Sequence, residues 1–186
     1  MRKLIFILLG LILSITSTAQ YDSSVYNYIH TYKDIAIVEM IRTGVPAAIT
    51  IAQGILEAKA GKSELVLKSN NHFGIKCKIT WTGERVYYND DAQGECFRKY
   101  ASATESFKDH SNFLKVNSRY AFLFTLDPTD YSAWAYGLKQ AGYATDPRYA
   151  PLLIQCIEKY RLQDYTLLAL SIMTTQHQEQ NHLSNN

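Results

Sequence analysis

Apolar side chains recur at helical spacing in the first and last thirds of the chain. The first stretch predicts a helix over residues 23–42, ended by Gly44, and the second predicts a helix from Pro46 to about Ala60, with Gly61 just beyond it. Because the second helix is rich in Ala and Ile and almost uncharged, we expect it to be central and buried. Four further helices are predicted over residues 63–68, 102–116, 130–141 and 147–160.

The middle of the chain changes to short runs of β-branched and aromatic residues separated by turn residues. The runs cover residues 73–79, 85–88 and 95–100, and the turns fall at residues 82–83 and 90–94. They predict a small antiparallel β-hairpin lobe inserted between two helical parts. The predicted fold class is therefore α+β, with a mainly helical body and a β-lobe that leave between them a cleft in which a polymer can lie.

The N-terminal residues have the pattern of a secretory signal peptide. Arg2 and Lys3 precede an apolar run from Leu4 to Ile15, and the small residues Ser17-Thr18-Ala19 follow. The pattern predicts a signal peptide over residues 1–19, cleaved after Ala19, and export to the periplasm or out of the cell. An uncleaved membrane anchor is the alternative, although the apolar run is short for a full membrane span.

Beyond the signal peptide we expect one catalytic domain over residues 20–165. A C-terminal tail over residues 166–186 is predicted to be disordered from about residue 174, where Gln, Asn and His dominate. Loss of the signal peptide would lower the basic residues from 19 to 17 and match the 17 acidic ones. A formal charge of zero argues against DNA as a partner and against bulk attraction to an anionic polymer. We expect no nucleic-acid partner, no membrane partner after cleavage, and a monomer.

The chain has three cysteines, and export would permit a disulfide. Cys77 and Cys96 lie on either side of the predicted hairpin and are the natural pair, whereas Cys156 lies in an apolar helical stretch and is predicted to be a buried thiol. That pairing disfavours a cysteine peptidase built on Cys77 and His72, because it removes the nucleophile. No CxxC, HExxH or other ligand spacing is present, so neither a metal site nor a cofactor is predicted.

Glu57 is the strongest candidate for a catalytic carboxylate in the sequence. It projects from the apolar second helix near its C-terminal end, and both the apolar surroundings and the negative helix end would raise its pKa. A carboxylic acid that stays protonated near neutral pH is what glycoside cleavage needs as its general acid. The alternative is a surface glutamate paired with Lys59, Lys62 or Arg98.

A second carboxylate could come from Asp90 or Asp91, at the tip of the predicted hairpin. Most glycoside hydrolases use two carboxylates, and the hairpin tip could bring one of these across the cleft from Glu57. The alternative is ordinary turn chemistry, in which Asp is common.

Five blocks of sequence, in order, resemble the glucosaminidase family, glycoside hydrolase family 73, which includes flagellar peptidoglycan hydrolases and autolysins. The resemblance covers roughly residues 25–163. The blocks are Pro46-Ala47-Ala48 through Ala52-Gln53-Gly54-Ile55-Leu56-Glu57-Ala58, Asn70-Asn71-His72-Phe73-Gly74-Ile75-Lys76, Trp81-x-Gly83, Phe97-Arg98-x-Tyr100, and Gly142-Tyr143-Ala144-Thr145-Asp146-Pro147-x-Tyr149.

The resemblance implies a lysozyme-like α+β fold and cleavage of the β-1,4 bond after N-acetylglucosamine in peptidoglycan. It implies that Glu57 is the general acid, that Asp90 or Asp91 stands where many members carry a glutamate, and that Tyr143 lies in the cleft near Glu57. Ala58 stands where many members have a serine, which would change how Glu57 is hydrogen-bonded. The candidate substrate-binding residues are Gln53, Asn71, Phe73, Trp81, Tyr88 and Tyr149. For the aromatic residues among them, core packing is the alternative role.

The predicted function is an exported endo-β-N-acetylglucosaminidase that acts on peptidoglycan glycan strands without a cofactor. Two alternatives remain open at this point. One is a lytic transglycosylase or muramidase on a similar frame, and the other is a non-catalytic wall-binding module.

Overall fold

A computed structural model describes the backbone of residues 2–90 and 92–184, and the side chains of residues 23–90 and 92–182. The chain forms helices before and after one two-stranded hairpin. The elements in order are α1 (Arg2–Thr43), α2 (Ala47–Glu57), α3 (Glu64–Ser69), β1 (Arg85–Tyr88), β2 (Glu95–Arg98), α4 (Ala103–Val116), a 3₁₀ helix (Ser118–Thr125), α5 (Tyr131–Gln140), α6 (Tyr149–Lys159) and α7 (Gln163–Ser184).

The apolar helix α2 lies at the centre of the molecule, as its composition predicts. Every residue from Ala47 to Ile55 is buried, and α1, α5, α6 and α7 all pack against this helix. Gly54 allows the close approach of α1, because a Cβ at that position would lie 2.3 Å from the Tyr28 hydroxyl. The central helix therefore places its exposed last residue, Glu57, at the rim of the core.

Three predicted helix starts carry the expected side-chain caps. The hydroxyl of Ser63 accepts from the Val66 N–H, that of Ser102 accepts from the Glu105 N–H, and the carboxylate of Asp130 accepts from the Ala133 N–H. Each cap satisfies a backbone donor that the first helical turn leaves unpaired.

Helix α2 ends at Glu57, three residues before the predicted end. Lys59 and Ala60 have φ angles of 49° and 51°, and Gly61 follows at 80°. Three successive left-handed residues cannot continue a right-handed helix, so the chain reverses directly behind Glu57. This reversal leaves the Glu57 side chain on the last turn, open to the cleft.

The predicted β-lobe is present but smaller than expected. Strands β1 and β2 pair antiparallel, with Val86 opposite Phe97, and the predicted strand over residues 73–79 is reduced to one bridge between Lys76 and Phe97. The prediction of a full strand is wrong because the Asn71 amide satisfies both the N–H and the C=O of Ile75, which holds this segment as a turn.

The predicted disulfide is confirmed. Cys77 and Cys96 are bonded, with their Cα atoms 5.4 Å apart, and the link ties the turn segment to β2. Cys156 is free and buried on α6, also as predicted, and burial raises the pKa of its thiol to about 12.

The C-terminal segment differs from the predicted tail. Helix α7 continues to Ser184, and its first turns belong to the core, since Thr166 and Ala169 are fully buried and the Thr166 hydroxyl accepts from the Ala48 N–H at 3.0 Å. From residue 174 to 182 the side chains are exposed. The sequence does not predict this helix because its apolar spacing is weak. Only the first turns of α7 pack against the rest of the protein, so only they need apolar side chains.

The predicted signal peptide covers residues whose side chains lie outside the described part of the chain, so it stays a prediction. None of the helices, judged on the residues that the structure describes, has the length and apolar composition that crossing a membrane requires.

Candidate active site

A cavity of about 640 Å³ opens between the end of α2, the turn segment 73–78, the hairpin and the segment 142–149. It is the cleft that the α+β layout predicts. Its lining combines three carboxylates with aromatic, apolar and basic side chains. The full set is Leu56, Glu57, Phe73, Gly74, Ile75, Lys76, Cys77, Lys78, Asp90, Phe113, Arg119, Tyr120, Gly142, Tyr143, Ala144, Thr145, Asp146, Tyr149 and Leu152.

The carboxyl group of Glu57 lies in this cleft with its pKa raised to about 7. Desolvation by the surrounding protein is the main cause, and the negative charge of Asp90 adds to it. The side chain remains open to water through the mouth of the cleft while protein surrounds its other sides. Glu57 is therefore a carboxyl group that exchanges a proton near neutral pH.

The surface ion pair considered for Glu57 is not formed. Among the described residues no cation lies within ion-pair distance of its carboxylate: Lys62 donates to the Ser24 hydroxyl and Arg98 pairs with Asp109 at 2.7 Å. Glu57 thus lacks the partner that would hold its pKa low.

Asp90 is the hairpin carboxylate that the structure places in the cleft. It lies two residues after the end of β1, and its N–H donates to the Ala92 carbonyl at 3.2 Å, while the Asn89 side chain accepts from the Gly94 N–H and closes the turn. Asp90 and Glu57 line the same cavity, and the negative charge of Asp90 contributes to the raised pKa of Glu57. Asp91, the other candidate, lies outside the described residues.

Two tyrosines form the wall beside Glu57. The rings of Tyr143 and Tyr149 stack with centroids 5.8 Å apart, and Gln53, buried on α2, donates to the Tyr149 hydroxyl at 2.8 Å. Burial, with the charge of Glu57 as a further cause, raises the pKa of both hydroxyls well above the ordinary tyrosine value. Both therefore stay protonated, and the buried Tyr143 hydroxyl, which has no partner in the described structure, is a free donor.

The structure places three of the six predicted binding residues at the cleft. Phe73 and Tyr149 line it together with Tyr143, and Gln53 supports it through its hydrogen bond to Tyr149. Asn71 is buried and its amide bonds the Ile75 backbone and the Arg98 carbonyl, so its hydrogen-bonding groups are already used.

Two predicted aromatic residues are not brought to the cleft lining. The Trp81 ring lies under the Arg98 guanidinium at 4.6 Å and packs edge-on against Tyr100. Tyr88 packs against Phe97 across the hairpin. Both follow the alternative role of packing, because the hairpin needs aromatic side chains for its own small core.

Several residues that line the cleft were not predicted from the sequence. Phe113 lies on α4, Arg119 and Tyr120 come from the unpredicted 3₁₀ helix, and Lys78 follows the disulfide. A cation beside an aromatic residue in a stretch without clear periodicity is not a distinctive signal, so only the packing reveals them.

No group of three or more His, Cys, Asp or Glu side chains within the described ranges is arranged to hold a metal ion.

Comparison with known proteins places the chain in a family. A family model described as mannosyl-glycoprotein endo-beta-N-acetylglucosaminidase, of the Glucosaminidase family, matches residues 33–162. The chain is 38% identical over 129 residues to the exo-glucosaminidase LytG of Bacillus subtilis, covering 63% of this chain and 45% of that protein. It is 35% identical over 150 residues to the peptidoglycan hydrolase FlgJ of Vibrio cholerae, covering 74% and 44%. The chain thus spans less than half the length of these curated relatives.

Solved structures agree in fold. A peptidoglycan hydrolase from Sphingomonas sp. A1 matches with a TM-score of 0.66 at 32% identity, over 77% of this chain and 94% of that one. The glycoside hydrolase domain of Salmonella typhimurium FlgJ matches with a TM-score of 0.58 at 28% identity, over 87% and 99%. These matches confirm the predicted lysozyme-like α+β architecture. With a family match over most of its length and a cleft built around Glu57, the chain belongs to the glucosaminidase family of glycoside hydrolases.

Proposed function

We propose that the chain is a peptidoglycan hydrolase that cleaves the β-1,4 bond after N-acetylglucosamine within glycan strands. The observation that carries the proposal is the carboxyl group of Glu57, with a pKa of about 7, in an open cleft beside a second carboxylate. The names of the relatives, a glucosaminidase and several peptidoglycan hydrolases, support the same substrate. The cleft also has the aromatic lining that suits a sugar chain.

In the proposed reaction Glu57 donates its proton to the glycosidic oxygen as the bond from that oxygen to the anomeric carbon breaks. Water adds to the anomeric carbon and loses a proton to a base. Asp90 is the described carboxylate placed to take that proton or to stabilise the positive charge on the sugar ring. Asp91 and the substrate's own acetamido group are the alternative sources of this second function.

The tyrosine wall supports this assignment of roles. The protonated Tyr143 hydroxyl, buried and without a partner among the described residues, is available to donate to the Glu57 carboxylate. Phe73 and Tyr149, both nearly buried, form part of the apolar wall of the same cavity.

The test is cleavage of purified wall by the wild type and by Glu57→Gln, with Glu64→Gln, an exposed glutamate on α3, as the matched control. General acid catalysis contributes typically 10²–10⁴-fold, so Glu57→Gln should lose at least about 100-fold while the control keeps its rate. Near wild-type clearance by Glu57→Gln would contradict the proposal.

Product analysis decides which bond is cut. New reducing N-acetylglucosamine ends on internal fragments support the proposed activity. Reducing muramic acid ends indicate a muramidase, anhydro-muramic ends indicate a lytic transglycosylase, and release from chain ends only indicates an exo-acting enzyme. Binding without cleavage indicates a wall-binding module.

We also propose that the protein is exported and acts as a monomer, with residues 1–19 removed as a signal peptide. Acting on the wall requires export, and the sequence of the first residues supports the route. The mass of the protein recovered from the cell envelope and medium tests this, because cleavage after Ala19 leaves Gln20 as the first residue.

A further inference from the structure

One wall of the cleft carries two cations, Lys78 and Arg119, that have no acidic partner within the described structure. Lys78 comes from the turn segment behind the disulfide, and Arg119 from the 3₁₀ helix. They are 41 residues apart in sequence, and the fold brings both to the same cavity.

Both cations lie over the aromatic side chains of this wall. The Lys78 Nζ is 5.2 Å from the Phe113 ring centroid, and the Arg119 guanidinium is 5.6 Å from that of Tyr120. The two rings are neighbours, with centroids 5.5 Å apart. Ring contacts of this kind fix the direction of long side chains without neutralising their charge, so both cations remain available to an anion.

The remaining charges of the cleft do not cancel this pair. Lys76 is bound to Glu95 at 2.8 Å, and Asp146 is bound to Arg148 at 3.1 Å. Glu57 and Asp90 also line the cavity, where they form the proposed site of bond cleavage. The cleft therefore combines these two carboxylates with a basic wall.

We propose that Lys78 and Arg119 bind carboxylates carried by the muramic acid units of the glycan, so that the cleft selects acidic wall glycan over neutral glycan. This inference rests on the proposed function and adds a specificity determinant to it. Two sources share the required chemistry. Stem peptides carry free carboxylates, and strands without peptides expose the lactyl carboxylate of each muramic acid.

The net charge of the chain indicates that any selectivity for acidic glycan depends on local cations such as Lys78 and Arg119. Beyond residue 19 basic and acidic residues are equal in number, so long-range attraction to an acidic polymer is weak. Selectivity for carboxylates must then come from a few placed cations. Because both side chains are exposed, the contribution of each contact is modest and decreases with added salt.

The experiment measures binding without turnover, in the Glu57→Gln background, by calorimetry. The probes are four sets of soluble wall fragments: strands with stem peptides, strands stripped of peptides, and the form of each in which the carboxylates are converted to amides. We expect the carboxylate forms to bind about three- to tenfold tighter than their amides at low salt, and the preferred source to show which carboxylate is bound.

Adding Lys78→Gln and Arg119→Gln should bring this ratio close to one. The charge-retaining pair Lys78→Arg and Arg119→Lys should restore most of it. Lys33→Gln with Lys108→Gln makes the same change in net charge away from the cleft and should keep the parent ratio.

The outcomes separate the two proposals. If amides bind as tightly as carboxylates, or if the ratio survives loss of both cations, the carboxylate site is wrong while the hydrolase assignment stands. If no fragment binds and the wild type cleaves no wall, the proposed function fails and this inference fails with it.

Discussion

The negative charge of Asp90, in the hairpin turn after β1, raises the pKa of Glu57, at the end of α2, across the cleft. Glu57 is the last residue of α2, and Asp90 lies in the hairpin turn two residues after β1. Desolvation and this charge act in the same direction, so Glu57 holds its proton up to about pH 7.

Asp90→Asn should lower the pKa of Glu57. The acid form of Glu57 is present below its pKa, so in the wild type kcat/KM should fall as pH rises through about 7. Removing the Asp90 charge should move this fall to lower pH, whatever the loss in rate. The residual rate as a function of pH, or a carbon NMR titration of the Glu57 carboxyl, measures the shift.

Asp146→Asn is the matched control for that experiment. Asp146 also lines the cleft, but it is paired with Arg148 and does not contribute to the raised pKa of Glu57. Its replacement should leave the alkaline limb in place. An unmoved limb in Asp90→Asn would show that the hairpin charge does not act on Glu57.

Gly54→Ala should destabilise the fold by about 1–3 kcal/mol through overpacking. The added Cβ would lie 2.3 Å from the buried Tyr28 hydroxyl, which bonds His72 Nδ1 at 2.9 Å and cannot easily move. Urea unfolding of Gly54→Ala, Tyr28→Phe and the double variant forms a cycle. Because Tyr28→Phe removes the clashing oxygen, the double variant should be more stable than the sum of the single losses, and strict additivity would contradict the explanation.

His110 should make the fold sensitive to mild acid. Its ring is fully buried against Phe73, and burial lowers its pKa to about 3 from the ordinary 6.5. Below pH 6.5 His110 therefore binds a proton in the unfolded chain but stays neutral in the folded protein. The free energy of unfolding decreases as the pH falls below that value. Between pH 7 and 5 this residue alone should cost about 2 kcal/mol.

Unfolding free energies of His110→Phe at the two pH values test that prediction. The difference between pH 7 and pH 5 should shrink by about that amount. His30→Phe makes the same chemical change at an exposed position of α1 and should not shrink it by as much. Equal pH dependence in wild type and His110→Phe would rule out His110 as the cause.

Lys59→Gly should stabilise the turn behind Glu57. Lys59 has a φ of 49°, a conformation that costs a residue with a Cβ about 1–2 kcal/mol, partly offset by the greater freedom of glycine in the unfolded chain. Lys59→Ala removes the same charge and keeps the Cβ, so Lys59→Gly should exceed it by about 0.5–1 kcal/mol in thermal or urea unfolding. Equal stability of the two variants would show that this position is unstrained.

Features that depend on near neighbours could be predicted from the sequence. Ser63, Ser102 and Asp130 start their helices as expected, because a cap bonds a backbone group only two or three residues away. The raised pKa of Glu57 was equally predictable, since an apolar helix surrounds a lone carboxyl wherever that helix packs.

Features that depend on contacts between distant segments could not be predicted from the sequence. Asn71 looked like a binding residue but bonds the Arg98 carbonyl, 27 positions away, and Trp81 lies under Arg98 instead of in the cleft. The spacing of side chains shows which face of a helix or strand is buried. It does not show which other segment packs against that face.

The sequence by itself determined the buried helix that carries Glu57, the pairing of Cys77 with Cys96, the α+β layout and the family. Only the tertiary structure decided that Asp90 lies in the cleft, that α7 completes the core, and that Lys78 and Arg119 meet on one wall. The physical reason is that hydrogen-bonding and apolar periodicity act over a few residues. The positions of charges in the cleft follow instead from how the central helix, the hairpin and the 3₁₀ helix pack together.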